Sequence, residues 1–144
     1  MKIWEILRSK GHEVVTIPPE ATIRAAIRML VEHGIGSLVV MEGGRVRGIV
    51  TEREVLRLIN RDPASSSETR VTSVLAGDVV VAGPDDDVQH LMEVMTRKRV
   101  RHLPIVEDGV LLGIISIGDV VNHLRRDVES ENRHLREYVH GLLR

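Results

Sequence analysis

The sequence predicts an α/β (α+β) fold in which two pseudosymmetric β-α-β-β-α repeats pack sheet to sheet and a C-terminal helix follows. Three observations lead to this prediction. Residues 13–59 align with residues 78–124 without a gap, and both copies carry apolar runs and turn signals in the same order. The 144 residues, 42% of them hydrophobic, are also enough to bury a core, which must be aliphatic because the chain has no Phe, one Tyr and one Trp.

The two copies share residues of the same structural type at a constant offset. Val14, Val15, Pro19, Leu38, Gly44, Gly48, Ile49 and Val55 recur as Val79, Val80, Pro84, Leu103, Gly109, Gly113, Ile114 and Val120. We therefore divide the chain into a first repeat with its N-terminal lead helix (1–60), a polar linker (61–70), a second repeat (71–124) and a charged C-terminal helix (125–144).

Each copy is predicted to begin with a short extended segment that ends at a proline-containing turn. These segments are Glu13–Ile17 in the first copy and Asp78–Ala82 in the second. A helix follows, because Thr22 or Asp87 offers a capping side chain just before apolar residues at helical spacing.

Two apolar runs then form a predicted hairpin in each copy, since a glycine turn signal joins them. The runs are Ser37–Met41 with Val46–Val50, and Leu103–Val106 with Val110–Ser116. The second strand leads into a helix at Thr51 or Ser116. An acid three residues on, Glu54 or Asp119, completes the pattern of a capping box.

The flanking segments are amphipathic. Ile3–Leu7 and Val71–Leu75 precede the two copies and are predicted to be short helical leads. In the C-terminal helix, Leu124, Val128, Leu135, Tyr138 and Leu142 form an apolar stripe that Glu131 interrupts. Two interpretations of the stripe stand side by side: packing on its own domain, or a seam between two copies of the chain.

Composition and motifs exclude several function classes. Twenty Lys and Arg against 21 Asp and Glu leave a net charge of −1, which calls for neither nucleic acid nor an anionic membrane. The chain has no Cys, and its seven His residues do not follow a metal-binding spacing, so we expect no metal site. Phosphate-loop and dinucleotide motifs are missing too. We expect a cytoplasmic protein that is not an enzyme.

The combination RHLPIVEDG…GIISIGDVV, with GGRVRGIVTEREVLR in the first copy, resembles a pair of cystathionine-β-synthase (CBS) domains, known as a Bateman module. The similarity covers nearly the whole chain, which also resembles the stand-alone bacterial and archaeal members of that family that end in a charged helix. The resemblance implies a regulatory module, usually a homodimer, that acts on another protein. It implies no obligatory cofactor but a regulatory ligand, AMP, ADP or ATP, or else S-adenosylmethionine or NAD.

The resemblance also implies two ligand clefts between the repeats. The main one, here the Asp119 cleft, would be formed by Lys10, Val15, Ile35, Gly36, Ser37, Ile114, Ser116 and Asp119, with Arg101 close enough to neutralise phosphates in either cleft. The second, here the Glu54 cleft, would be formed by Ile49, Thr51, Glu54, Val80, Val100, His102 and Pro104. In the family the hydroxyl and the carboxylate hold phosphate and ribose, and that carboxylate is normally Asp.

Two hypotheses follow from this pattern. Because Asp119 has the usual length and Glu54 is one methylene longer, the Asp119 cleft is expected to bind an adenine nucleotide more tightly. The alternative is a constitutive interaction scaffold without a ligand, since a hydroxyl and a carboxylate at this spacing also cap a helix.

Overall fold

The computed structural model describes residues 1–75 and 79–142. In chain order the elements are α1 (Ile3–Lys10), β1 (Thr16–Ile17), α2 (Ile23–His33), β2 (Ser37–Glu42), β3 (Arg45–Thr51), α3 (Glu52–Arg61), two 3₁₀ helices (Ser66–Glu68 and Val71–Val74), α4 (Val88–Lys98), β4 (His102–Glu107), β5 (Val110–Ser116) and α5 (Ile117–Leu142). The predicted fold of two repeats and a C-terminal helix is confirmed. The sheets face each other, because β3 contacts both β4 and β5.

The helix starts were predicted correctly, but the two caps differ. The Thr22 hydroxyl accepts a hydrogen bond from the Ala25 N–H at 3.2 Å, as a capping residue should. Asp87 precedes α4 without making such a bond. Its carboxylate lies 3.7 Å from the N-terminal amine of Met1 instead, so this acid contacts the chain terminus and the helix begins without a side-chain cap.

The first strand of the second repeat is shorter than predicted. In the first repeat β1 pairs in parallel with β2, and the Val39 N–H donates to the Val15 carbonyl at 3.2 Å. The residue equivalent to Val39 is Pro104, which has no N–H to donate to Val80. Pairing is therefore reduced to one bridge between Ala82 and Ile105. Asp78, the predicted start of this segment, lies outside the described residues.

The lead segments exchange partners between the repeats. Ile3, Ile6 and Leu7 of α1 are buried in the core of the second repeat, whereas Val71 is buried in the core of the first. Backbone hydrogen bonds hold both leads in place, from the Ile3 N–H to Asp86 and from the Val71 N–H to Ala21. The second lead is helical, as predicted, and takes the 3₁₀ form, since β-branched Val and Thr residues are poor formers of an α-helix.

Two equivalent glycines make room for these leads. A Cβ atom on Gly113 would lie 2.7 Å from the Leu7 Cδ2 atom, and one on Gly48 would lie 3.0 Å from the Leu75 Cδ2 atom. Both distances are shorter than the roughly 3.5–4.0 Å at which carbon atoms pack best. The two glycines thus let a lead from the opposite repeat pack directly on each hairpin.

The helix after Ser116 does not end with the second repeat. It runs without interruption for 26 residues, and Val128, Leu135, Tyr138 and Leu142 are all more than half exposed. The apolar stripe therefore does not pack on its own domain. None of the described helices combines the length and apolar character that a membrane span requires.

Candidate functional site

The two strand-to-helix turns have the same backbone geometry. The Glu52 N–H donates to the Gly36 carbonyl at 3.1 Å, and the Ile117 N–H donates to the Arg101 carbonyl at 2.8 Å. Each bond ties the start of a helix to the residue that precedes the neighbouring strand. The internal symmetry predicted from the sequence therefore extends to the position of the candidate binding groups.

The polar groups of the Asp119 cleft are hydrogen-bonded to one another within the chain. The Ser116 N–H donates to the Asp119 carboxylate at 2.8 Å, and the Asp119 N–H donates to the Ser116 hydroxyl at 3.1 Å. This reciprocal pair is a capping box. The Lys10 Nζ atom donates to the same carboxylate and to the Ile114 carbonyl, both at 2.6 Å. Four predicted site residues are thus brought together and bound to one another.

The charge of Asp119 is stabilised by these contacts. Burial by itself raises the pKa of a carboxyl group, but the hydrogen bonds from Lys10 and from the Ser116 backbone outweigh it and hold the pKa of Asp119 below its ordinary value. The carboxylate is therefore ionised at neutral pH and paired with an ammonium group.

The Glu54 cleft is an open cavity of about 290 Å³ between the two repeats. Of the residues predicted for it, six line the wall, together with Arg101: Ile49, Thr51, Glu54, Val80, Val100 and His102. The Thr51 hydroxyl donates to the Glu54 carboxylate, and Thr51 makes no capping bond to the helix backbone. This hydroxyl–carboxylate pair faces a cavity, whereas the pair in the other turn caps a helix.

The wall of this cavity is rich in cationic groups. Arg53, Arg99 and Arg101 contribute three guanidinium groups, against the carboxylates of Glu52 and Glu54. All three arginines are exposed, so their side chains can turn toward a bound molecule. The balance favours an anionic ligand over a cationic one.

His102 lies where the two clefts approach each other. A Cβ atom on Gly36 would be 3.9 Å from its Nε2 atom and 3.3 Å from a Glu52 oxygen. Burial, and after it the positive charge of Lys10, lowers the pKa of His102, and this outweighs the opposing effect of Asp119 and Glu52. At neutral pH the ring is uncharged, with one donor and one acceptor nitrogen.

Other predicted residues take positions in the core. Val15 and Ile35 pack against the apolar cluster of the first repeat. Ser37 is buried and pairs with Thr51 across the hairpin. Pro104 is buried in β4, next to Leu103, which lines the cavity. Seven residues of the cavity wall were missed by sequence reasoning: Gly48, Glu52, Arg53, Val74, Val79, Arg99 and Leu103. A signal existed for one of them, because Arg99 stands where the first copy has Gly34. Among the described residues, no cluster of three or more His, Asp or Glu side chains is arranged to hold a metal ion.

The profile of the CBS domain matches residues 5–61 and again residues 71–126. The chain belongs to the CBS domain family. This CBS pair is similar to a CBS-domain containing protein from Agrobacterium tumefaciens, at 39% identity and a TM-score of 0.81 over 85% of this chain and 98% of that one. It is also similar to a protein from Burkholderia ambifaria MC40-6 described as a signal-transduction protein with CBS domains, at 35% identity and a TM-score of 0.82 over 88% and 96% of the two chains.

A more distant CBS domain pair shares the fold. It was solved in complex with 5′-methylthioadenosine and S-adenosyl-L-methionine, and it is 19% identical to this chain, with a TM-score of 0.78 over 88% of this chain and 98% of that one. The architecture of two facing repeats is therefore common to proteins whose sequences have diverged widely.

Proposed function

We propose that the protein is a regulatory module that binds an adenine nucleotide, AMP, ADP or ATP, in the Glu54 cleft. One observation carries the proposal: a cavity between the repeats combines apolar walls, a hydroxyl–carboxylate pair and three guanidinium groups. Apolar walls suit a base, the hydroxyl–carboxylate pair suits a ribose, and the guanidinium groups suit a phosphate. The distant CBS pair that binds two adenosine derivatives supports the choice of an adenosine ligand.

The nucleoside end of the ligand would lie between Glu54 and Val80. A carboxylate accepts hydrogen bonds from both hydroxyls of a ribose, and Glu54 is presented on the first turn of α3 for this purpose. Val80 lines the same cavity, and Pro104, which stands where the first repeat has Val39, has no N–H to donate to the Val80 carbonyl. In this proposal that carbonyl accepts a hydrogen bond from the amino group of adenine.

The phosphate end would face the arginines. Guanidinium groups bind phosphate oxygens through two parallel hydrogen bonds, so Arg99 and Arg101 suit a nucleotide better than an uncharged nucleoside. The same charges disfavour S-adenosylmethionine, whose sulfonium is positive. A volume of about 290 Å³ is at the lower end of ligand cavities and fits a mononucleotide better than NAD.

The Asp119 cleft would bind a second ligand less tightly. Its carboxylate already accepts hydrogen bonds from Lys10 and Ser116, and a ribose must replace the 2.6 Å contact with Lys10 before it can bind. This reverses the ranking expected from carboxylate length alone, because that ranking took no account of Lys10 as an internal partner.

The ligand-free scaffold remains the second candidate, and the capping box at Ser116 and Asp119 favours it for that turn. Under either function the protein would act without catalysis, as a homodimer in the cytoplasm, on a separate regulated protein.

Thermal unfolding with AMP, ADP, ATP, adenosine and S-adenosylmethionine tests the proposal. AMP at about a hundred times its Kd should add about 2.7 kcal/mol to the free energy of unfolding.

Calorimetry on Arg101→Ala should show a much larger loss of affinity for AMP than for adenosine, because only AMP carries a charge that the guanidinium group can pair with. Arg136→Ala, in the exposed part of α5, is the matched control and should change neither. No stabilisation by any of the five compounds would favour the scaffold, and equal losses for AMP and adenosine would remove Arg101 from the phosphate site.

A further inference from the structure

The exposed stripe of α5 follows the spacing of a coiled coil. Its side chains occur at alternating intervals of three and four residues over three heptads: Val121, Leu124, Val128, Glu131, Leu135, Tyr138 and Leu142. This is the a/d pattern by which one helix packs against another. Leu135, Tyr138 and Leu142 are 61%, 66% and 68% exposed, so the pattern has no partner among the described residues of the chain.

The stripe fits a second copy of the same helix. An a/d seam needs a partner with the same heptad spacing, and α5 of another chain supplies that spacing together with the same length, about 39 Å at 1.5 Å per residue. The single acid in the seam bears on the direction of pairing. In a parallel pair, Glu131 would meet the partner's Glu131, and two facing carboxylates repel each other.

An antiparallel pair removes that direct opposition. When Leu124 lies opposite the partner's Leu135, Val121 lies opposite the partner's Tyr138 and Glu131 opposite the partner's Val128. In the same register Asp127 lies across from the partner's His134, whose ring N–H can donate to the carboxylate, and the two-fold axis repeats this contact. The flanking residues thus favour the antiparallel direction.

We propose that two copies of the chain associate through an antiparallel pair of α5 helices, centred between Val128 and Glu131. The contact is isologous, since each chain contributes the same stripe. It is independent of the ligand proposed for the Glu54 cleft.

Engineered cysteines test the direction of pairing, because the full chain has none of its own. Leu124→Cys and Leu135→Cys would be unfolded together, refolded as a mixture and oxidised. The antiparallel seam predicts a disulfide between the two different variants and at least ten-fold less of either self-linked product. Self-linking of each variant without the mixed product would overturn the proposal in favour of a parallel pair.

Sedimentation equilibrium tests the seam itself. Leu135→Asp should raise the Kd of the dimer at least a hundred-fold while the circular dichroism of the folded chain stays unchanged, since Leu135 is exposed within one chain. Arg136→Asp introduces the same carboxylate on the opposite side of the helix and should leave a dimer. A monomeric native protein, or a dimer that persists in Leu135→Asp, would overturn the proposal.

Discussion

Arg99 shows how much a single backbone angle can reveal about a site. It ends α4 in the left-handed conformation with φ of 56°, at the position where Gly34 ends α2 with φ of 61°. Glycine adopts this conformation freely, whereas a residue with a Cβ atom is strained by about 1–2 kcal/mol. Strained residues concentrate at functional sites, and Arg99 lines the cavity. We attribute the arginine to ligand binding, because glycine would serve the helix end better.

Replacing Arg99 should separate stability from binding. We expect Arg99→Gly to raise the free energy of unfolding by about 0.5–1 kcal/mol. The substitution relieves the strain of the left-handed conformation, and the greater conformational freedom of glycine in the unfolded chain offsets part of that gain. The same change should lower the affinity for AMP by about ten-fold, since a hydrogen bond to a charged group contributes about 1.5 kcal/mol or more. Urea unfolding and calorimetry measure the two effects. Gly34→Ala is the control and should lose stability with unchanged AMP affinity, and a stable Arg99→Gly with full AMP affinity would contradict the assignment.

The elements that depend on local pattern were predictable, and the contacts between distant elements were not. The hairpins followed from apolar runs on either side of the turn signals at Gly43 and Gly109, and the helices from capping residues and spacing. The exchange of the leads could not be derived, because an amphipathic segment specifies which face is buried and leaves its partner open. Pro104 was available to sequence reasoning, and its missing N–H explains the short strand at Ala82.

The docking of α1 on the second repeat predicts a coupling between Leu7 and Gly113. Gly113→Ala should lower the free energy of unfolding by about 1–3 kcal/mol, because its Cβ atom would lie 2.7 Å from Leu7. Leu7→Ala alone should cost about 2–5 kcal/mol. The double variant should be more stable than the sum of the two losses by about 0.5–3 kcal/mol, since the missing leucine leaves room for the new methyl group.

A double-mutant cycle by urea unfolding measures this coupling. Gly118→Ala is the control, because its Cβ atom would meet only Ser116 at an ordinary 3.6 Å. Strictly additive losses for Gly113→Ala and Leu7→Ala would mean that the glycine is required for a reason other than the lead helix.

At the scale of the whole molecule, the strand-to-helix turns were predictable from the sequence, and the contacts that distant segments make around them were not. The tandem pattern correctly located both strand-to-helix turns. The sequence did not reveal that the Lys10 ammonium would lie 2.6 Å from Asp119, because 109 residues separate them and only the docked position of α1 brings them together. The exchange of the leads therefore gives Asp119 an internal partner, as well as holding the repeats to each other.

That exchange predicts that the two repeats unfold as one unit. Each core is completed by a segment that precedes the other repeat, so a substitution that destabilises one core should destabilise both repeats. Trp4, the single tryptophan, reports on the second repeat, because it lies in α1 and its backbone N–H donates to the Pro84 carbonyl at 2.9 Å.

Val71 tests this coupling, because it is fully buried in the first repeat and Val71→Ala should lower the free energy of unfolding by about 1–3 kcal/mol. The urea midpoint of this variant should fall equally by Trp4 fluorescence and by circular dichroism. Val31→Ala, at a side chain 75% exposed, is the control and should leave both midpoints unchanged. A Trp4 transition that stays in place while the circular dichroism shifts would show that the repeats unfold separately, and that the exchanged leads do not couple them.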